Sequence, residues 1–174
     1  LIIFLITPMI IIYLIIISTS PGGGIHWSKR IGKNNKTFLM PKFRTMIIST
    51  PQVATHRMKN PKENMTPAGH IIRKASLDEL PQLFTVLTGK MSLVGPRPAL
   101  FNQHDLIELR KRYKIDELKP GITGYAQING RDLLSIEEKV KFEKIYCEKI
   151  SLFFDFKIIL KTVYYLTRLR YIKH

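Results

Sequence analysis

The sequence predicts a small α/β domain, mostly helical with short β segments, preceded by an apolar helix. Three observations carry this. The chain has 174 residues, which suits one compact unit with a buried core. Residues 1–17, "LIIFLITPMIIIYLIII", contain no charge. After them, short extended stretches in the first quarter give way to amphipathic helical patterns.

In chain order, the apolar run comes first. A spanning helix needs about 20 apolar residues, so this run is slightly short. Pro8 lies in its middle and removes one helical hydrogen bond. The hydroxyl of Thr7 can satisfy a carbonyl freed in this way. A signal peptide lacks support, because no basic start or small-residue cleavage site is visible. A simple spanning anchor and a re-entrant helix that turns back at the proline both fit, and hydropathy alone favours the anchor. Lys29, Arg30, Lys33 and Lys36 follow closely, which puts the downstream domain on the cytoplasmic side. The sequence opens at Leu1 rather than Met, so a preceding segment is compatible with it.

Pro21 and Gly22 to Gly24 make a hinge. "IHWSKRI" (25–31) and "TFLMPKFRTM" (37–46) read as strands, and 49–65 as a polar surface loop. In "TPAGHIIRKA", Thr66 is placed to cap a helix with Pro67 in its first position. A second helix is expected over 77–88, stopping at Gly89. "MSLVGPRPAL" is a short apolar segment entering a rigid turn. Residues 102–113 are helical, 119–131 a glycine-punctuated loop, and 135–150 an amphipathic helix. The last stretch, "LFFDFKIILKTVYYLTRLRYIKH", mixes apolar and aromatic residues with Lys157, Lys161, Arg168, Arg170 and Lys173. It fits an interfacial helix. It fits equally a core-packing helix with a basic outer face.

Charge narrows the function classes. There are 28 Lys and Arg against 13 Asp and Glu, formally +15. That excess calls for an anionic partner: nucleic acid, a phosphorylated substrate or an acidic leaflet. Cys147 is the only cysteine, which excludes an internal disulfide and a cysteine metal cluster. The five histidines show no metal-ligand spacing. "TGKMS" has Met91 where a phosphate-binding P-loop needs Ser or Thr, and "PGGG" lacks the dinucleotide-binding spacing.

The stretch "SLDELPQLF" (76–84) is where two accounts compete. Ser76 followed by Glu79 matches a capping box, and acidic residues suit a helix start. The same pattern recurs as "SIEE" at Ser135 and Glu138. On local pattern, capping explains Asp78 and Glu79 fully. Their neighbours support chemistry instead. Arg73 and Lys74 precede them, Lys42 and Arg44 sit in "PKFRT", and "GPRP" stiffens the backbone around Arg97. An arginine fork suits phosphate oxygens. An aspartate among such cations is expected to stay ionised, able to bind a divalent cation or attack phosphorus.

Taken together, "KFRTM", "SLDELPQLFTVLTGKMSLVGPRPAL", "KPGITGYAQINGR" and "SLFFDFKIILKT" resemble the bacterial sugar transferases, the monotopic phosphoglycosyl transferases. The similarity covers nearly the whole chain, in the family's order. It implies transfer of a phospho-sugar from a nucleotide diphosphate sugar, with UDP the expected nucleotide, to a membrane polyprenol phosphate. Asp78 would be the nucleophile that carries the phospho-sugar and Glu79 its partner, with Mg²⁺ as cofactor held by the same two residues. Arg73 and Arg97 would contact phosphate or nucleotide. Lys42, Arg44, Gln127 and Arg131 lie in matching substrate-binding motifs. Thr7-Pro8 matches the family's helix-breaking pair, which raises the re-entrant reading above the anchor.

The resemblance thus implies a re-entrant membrane helix (1–20) and a catalytic domain with interfacial amphipathic helices (21–174). It places them on the cytoplasmic face of a bacterial inner membrane, against anionic lipids. The product would start a capsule, O-antigen, exopolysaccharide or glycoprotein glycan. A homodimer is compatible with the sequence, and no nucleic-acid partner is expected. Two departures stand out: Gly23 replaces a second proline of "SPGP", and Ser28 lies near the position of a family glutamine. The competing readings are a catalytically inactive membrane scaffold of the same fold and a basic nucleic-acid-binding domain.

Overall fold

The computed structural model describes residues 2–51, 63–130 and 133–168. Most of the expected 49–65 loop, Arg131 and the last six residues lie outside them. The described chain is a mixed α/β unit, mostly helical with short strands, as expected.

Helix α1 (Ile2–Thr19) runs without interruption through Thr7 and Pro8. Its length is about 27 Å at 1.5 Å per residue, and among the described residues no helix is long and apolar enough to cross a membrane. One stripe, Met9, Ile12 and Ile16, is buried against Phe43 and Ile72, the spacing of a single helical face. The predicted membrane segment therefore shares a core with the rest of the chain. Ile10, Ile11, Leu14, Ile15 and Ile17 on its other sides are 40–54 % exposed.

The end of α1 is tied down by polar groups. The hydroxyls of Thr19 and Ser20 donate back to the carbonyls of Ile15 (2.7 Å) and Ile16 (3.1 Å). The Arg44 guanidinium donates to the Ser20 carbonyl (3.0 Å), the Ser20 hydroxyl (2.9 Å) and the carbonyls of Pro21 and Gly22. A cation there also suits the negative end of the helix dipole. The chain leaves through Gly22, whose φ of +100° favours glycine.

Strands β1 (Ile25–Ile31) and β2 (Thr37–Phe43) pair antiparallel, with His26 opposite Lys42. Pro41 is tolerated because β2 lies at the sheet edge. The other edge is β4 (Ala99–Leu100). Strand β3 (Ser92–Val94) pairs parallel with β5 (Gly121–Thr123), inside the stretch expected to be only loop.

Helix α2 (Gly69–Lys74) starts three residues after the expected cap. The Thr66 N–H instead donates to the Thr45 carbonyl at 3.0 Å, and the Gly69 N–H to the Thr66 carbonyl. Thr66 is thus spent on docking a turn against the end of β2, and its hydroxyl caps nothing. The expected helix over 77–88 is split into a 3-10 turn (Leu77–Glu79) and helix α3 (Gln82–Leu87), with Pro81 at the break. Helices α4 (His104–Arg112) and α5 (Ile136–Glu148) form as expected, α5 with its full Ser135–Glu138 capping box.

Helix α6 (Leu152–Arg168) buries Ile158 with Val94, Ile128 and Tyr146. Its outer stripe of Leu152, Phe153, Phe156, Leu160 and Val163 is more than half exposed. The helix thus packs into the core along one face and leaves an exposed apolar stripe on the other.

Candidate active site

The site begins with a backbone irregularity. Ser76 adopts φ +55° and ψ +20°, so it caps no helix and its hydroxyl is buried without a hydrogen-bond partner among the described residues. A cap residue needs an extended backbone, as Ser135 has. The capping account of "SLDE" therefore fails. The left-handed turn instead reverses the chain out of α2 and sets Asp78 and Glu79 against β2.

Lys42 on β2 approaches both carboxylates. Its Nζ lies 3.0 Å from Glu79 Oε1 and 3.7 Å from Asp78 Oδ2. Arg97 forks onto Glu79, Nη2 to Oε1 and Nη1 to Oε2 at 3.4 Å. Asp78 is only 7 % exposed. It nevertheless lines a cavity of about 460 Å³ together with His26, Ser28, Arg30, Lys42 and Arg73. Residues 26, 28 and 30 alternate along β1 and so share one face. Ser28, one of the two departures from the family pattern, accepts a hydrogen bond from Arg30 Nε at 2.9 Å.

Glu79 and Arg97 line a second, more apolar cavity of about 530 Å³, with Leu83, Gln127, Asn129 and Tyr165. The two carboxylates thus belong to two adjoining cavities. Gln127 donates to the Ile122 carbonyl at 2.8 Å, while its Oε1 is buried without a partner among the described residues.

Burial dominates the electrostatics. It pushes the Asp78 carboxyl above the usual range, with Lys42 opposing the rise and Glu79 adding to it. The expectation that cations alone would keep this carboxyl low is corrected: desolvation disfavours the charge more than Lys42, Arg73 and Arg97 favour it. Burial likewise lowers the Lys42 ammonium, with Glu79 and Asp78 opposing. Arg30 falls to about 10, through burial and then the nearby Arg97 charge.

Of the residues singled out in the sequence, Lys42, Arg44, Arg73 and Asp78 line the first cavity, and Glu79, Arg97 and Gln127 the second. Arg44 is also the residue that holds the end of α1. Arg131 is outside the described residues, and Thr7 and Pro8 lie within α1 and line neither cavity. His26 and Arg30 were not singled out for the site, although polar residues alternating along a predicted strand were a usable signal. Among the described residues no group of three His, Cys, Asp or Glu side chains is placed to hold a metal. Asp78 and Glu79 are hard oxygen donors of the kind Mg²⁺ takes, with both Glu79 oxygens engaged by Arg97 and one of them also by Lys42.

Residues 1–168 match the model of the bacterial sugar transferase family. The chain is 39% identical over 173 residues to a UDP-glucose:undecaprenyl-phosphate glucose-1-phosphate transferase of Escherichia coli (strain K12), covering 94% of this chain and 37% of that protein. It is 35% identical over 183 residues to a UDP-galactose-lipid carrier transferase of Erwinia amylovora, covering 93% and 37%. It is 34% identical over 176 residues to the exopolysaccharide production protein ExoY of Rhizobium meliloti (strain 1021), covering 91% and 77%. The chain thus spans little more than a third of the longer relatives and about three quarters of the shorter one.

Proposed function

This chain belongs to the bacterial sugar transferase family, and from that premise we propose that it moves a phospho-sugar from a UDP-sugar to a polyprenol phosphate through a covalent intermediate on Asp78. The observation that carries the reading is the placement of the Asp78 carboxyl, lining a basic cavity with Lys42 3.7 Å away and Arg73 on the same wall.

In the first half-reaction an Asp78 carboxylate oxygen attacks the phosphorus that bears the sugar. The bond from that phosphorus to the bridging oxygen breaks, and the nucleoside monophosphate leaves with the electron pair. In the second, a phosphate oxygen of the polyprenol phosphate attacks the same phosphorus and the carboxylate departs. Phosphoryl transfer of this kind rests on alignment and charge neutralisation. Lys42 and Arg73 supply cations at the nucleophile, while Arg97 and Lys42 hold Glu79. Mg²⁺ held by Asp78 and Glu79 would neutralise charge on the diphosphate.

The exposed apolar sides of α1 and α6 support docking at the cytoplasmic face of a bacterial inner membrane. With one stripe packed on the domain, α1 would dip into one leaflet rather than cross it. Cysteines placed near its two ends should then react with an impermeant reagent from the same side.

The reaction is tested by mixing the protein with Mg²⁺ and radiolabelled UDP-sugars. Wild type should retain label and Asp78→Asn should not. Label persisting on that variant would remove Asp78 as nucleophile.

A further inference from the structure

Three consecutive carbonyls of the Pro96–Pro98 loop are each pinned by a different element. The Gly121 N–H donates to Pro96 O at 2.9 Å. Arg110 Nη2 donates to Arg97 O at 2.8 Å, and Arg30 Nη1 to Pro98 O at 3.1 Å. Arg110, on α4, is in turn forked by Glu143 on α5, with Nε to Oε2 at 2.8 Å and a shorter Nη2 to Oε1 contact. Arg110 is 7 % exposed and Glu143 2 %. Neither lines either large cavity.

Burying this pair costs desolvation that its own attraction barely offsets, and apolar side chains would hold α4 to α5 as well. Leu106 and Val140 already do so alongside it. What apolar residues cannot do is donate to Arg97 O. We propose that Arg110, oriented by Glu143, is a positioning residue for Arg97. It fixes the backbone from which the Arg97 fork reaches Glu79. This rests on the reading of Asp78 and Glu79 as the reacting pair. Arg110 and Glu143 lie 33 residues apart in sequence.

The test is single-turnover formation of labelled protein from a radiolabelled UDP-sugar, in wild type, Arg110→Lys, Arg97→Lys and the double variant. Lysine keeps a cation against Glu143 but lacks the planar fork in which Nε holds Glu143 while Nη2 donates to both Glu143 and Arg97 O. Loss of a charged hydrogen bond predicts a rate about 10- to 100-fold lower in Arg110→Lys. In the Arg97→Lys background the same change should cost less than about twofold, because the coupled partner is gone. A full, multiplicative loss in both backgrounds, or a wild-type rate in Arg110→Lys, would overturn the proposal. Wild type that takes no label overturns the catalytic reading itself. A second readout is independent of turnover: exchange of the Arg97 Nε–H, followed by NMR of arginine-labelled protein, should quicken in Arg110→Lys and Glu143→Gln. Unchanged exchange in both would show that the pair does not hold Arg97.

Discussion

Lys42 Nζ stands 3.0 Å from Glu79 Oε1 while its neighbour carboxylate on Asp78 is at 3.7 Å, so one buried cation serves two acids. Lys42→Met should remove one of the cations that act on the proposed nucleophile, Asp78. Adduct formation is expected to fall by about 100-fold, the scale of losing one preorganised charge. Stability should fall by about 1–3 kcal/mol, because Glu79 keeps Arg97 but loses its other cation. Stopped-flow rates and urea unfolding measure the two effects separately.

The same contact makes a prediction about pH. On the proposed mechanism Asp78 attacks as the carboxylate, and burial holds its carboxyl above the usual range. As pH falls through that raised value the nucleophile is protonated, so the acid limb of the rate profile should lie higher than for an exposed aspartate. Lys42 must stay charged, and burial lowers it. The alkaline limb should therefore lie below that of an exposed lysine. In Lys42→Met a cation that stabilises the carboxylate is gone, and the acid limb should move further up.

Arg44 offers a contrast. Its guanidinium is occupied by the carbonyls of residues 20–22 at the end of α1. Arg44→Ala is expected to lower stability by about 2 kcal/mol. The KM for the sugar nucleotide should stay within about twofold of wild type, since uniform substrate binding would be untouched. A large KM rise without loss of stability would assign Arg44 to the donor instead.

The two Ser-x-x-Glu stretches should respond differently to substitution. Ser135→Ala removes a formed capping box and should cost about 1 kcal/mol. Ser76→Gly should be neutral or stabilising by about 0.5–1 kcal/mol, because φ +55° strains a side chain-bearing residue. Thermal unfolding of the two variants decides this.

These pairs also show what a sequence can and cannot reveal. Strands β1 and β2 and helices α4 and α5 follow from local alternation and periodicity. The cap at Ser135 does too, because its extended backbone lets its hydroxyl and the Glu138 side chain form the reciprocal box. At Ser76 the identical pattern fails, since the turn is set by packing of residues 66–79 on β2 and by Pro81. Strand β5 is three residues long in a glycine-rich loop, too short for any period. Asp78, Glu79, Lys42, Arg73 and Arg97 were legible as a set through neighbouring charges and the family motifs. The Arg110–Glu143 pair was not, because α4 and α5 meet only in three dimensions.

The most direct measurement is made without acceptor lipid: mix enzyme, Mg²⁺ and UDP-sugar, quantify released UMP, and map the protein by peptide mass spectrometry. One UMP per enzyme, with one phospho-sugar adduct on Asp78, is the expected result. UMP released with no adduct, or an adduct at another residue, would contradict nucleophilic attack by Asp78.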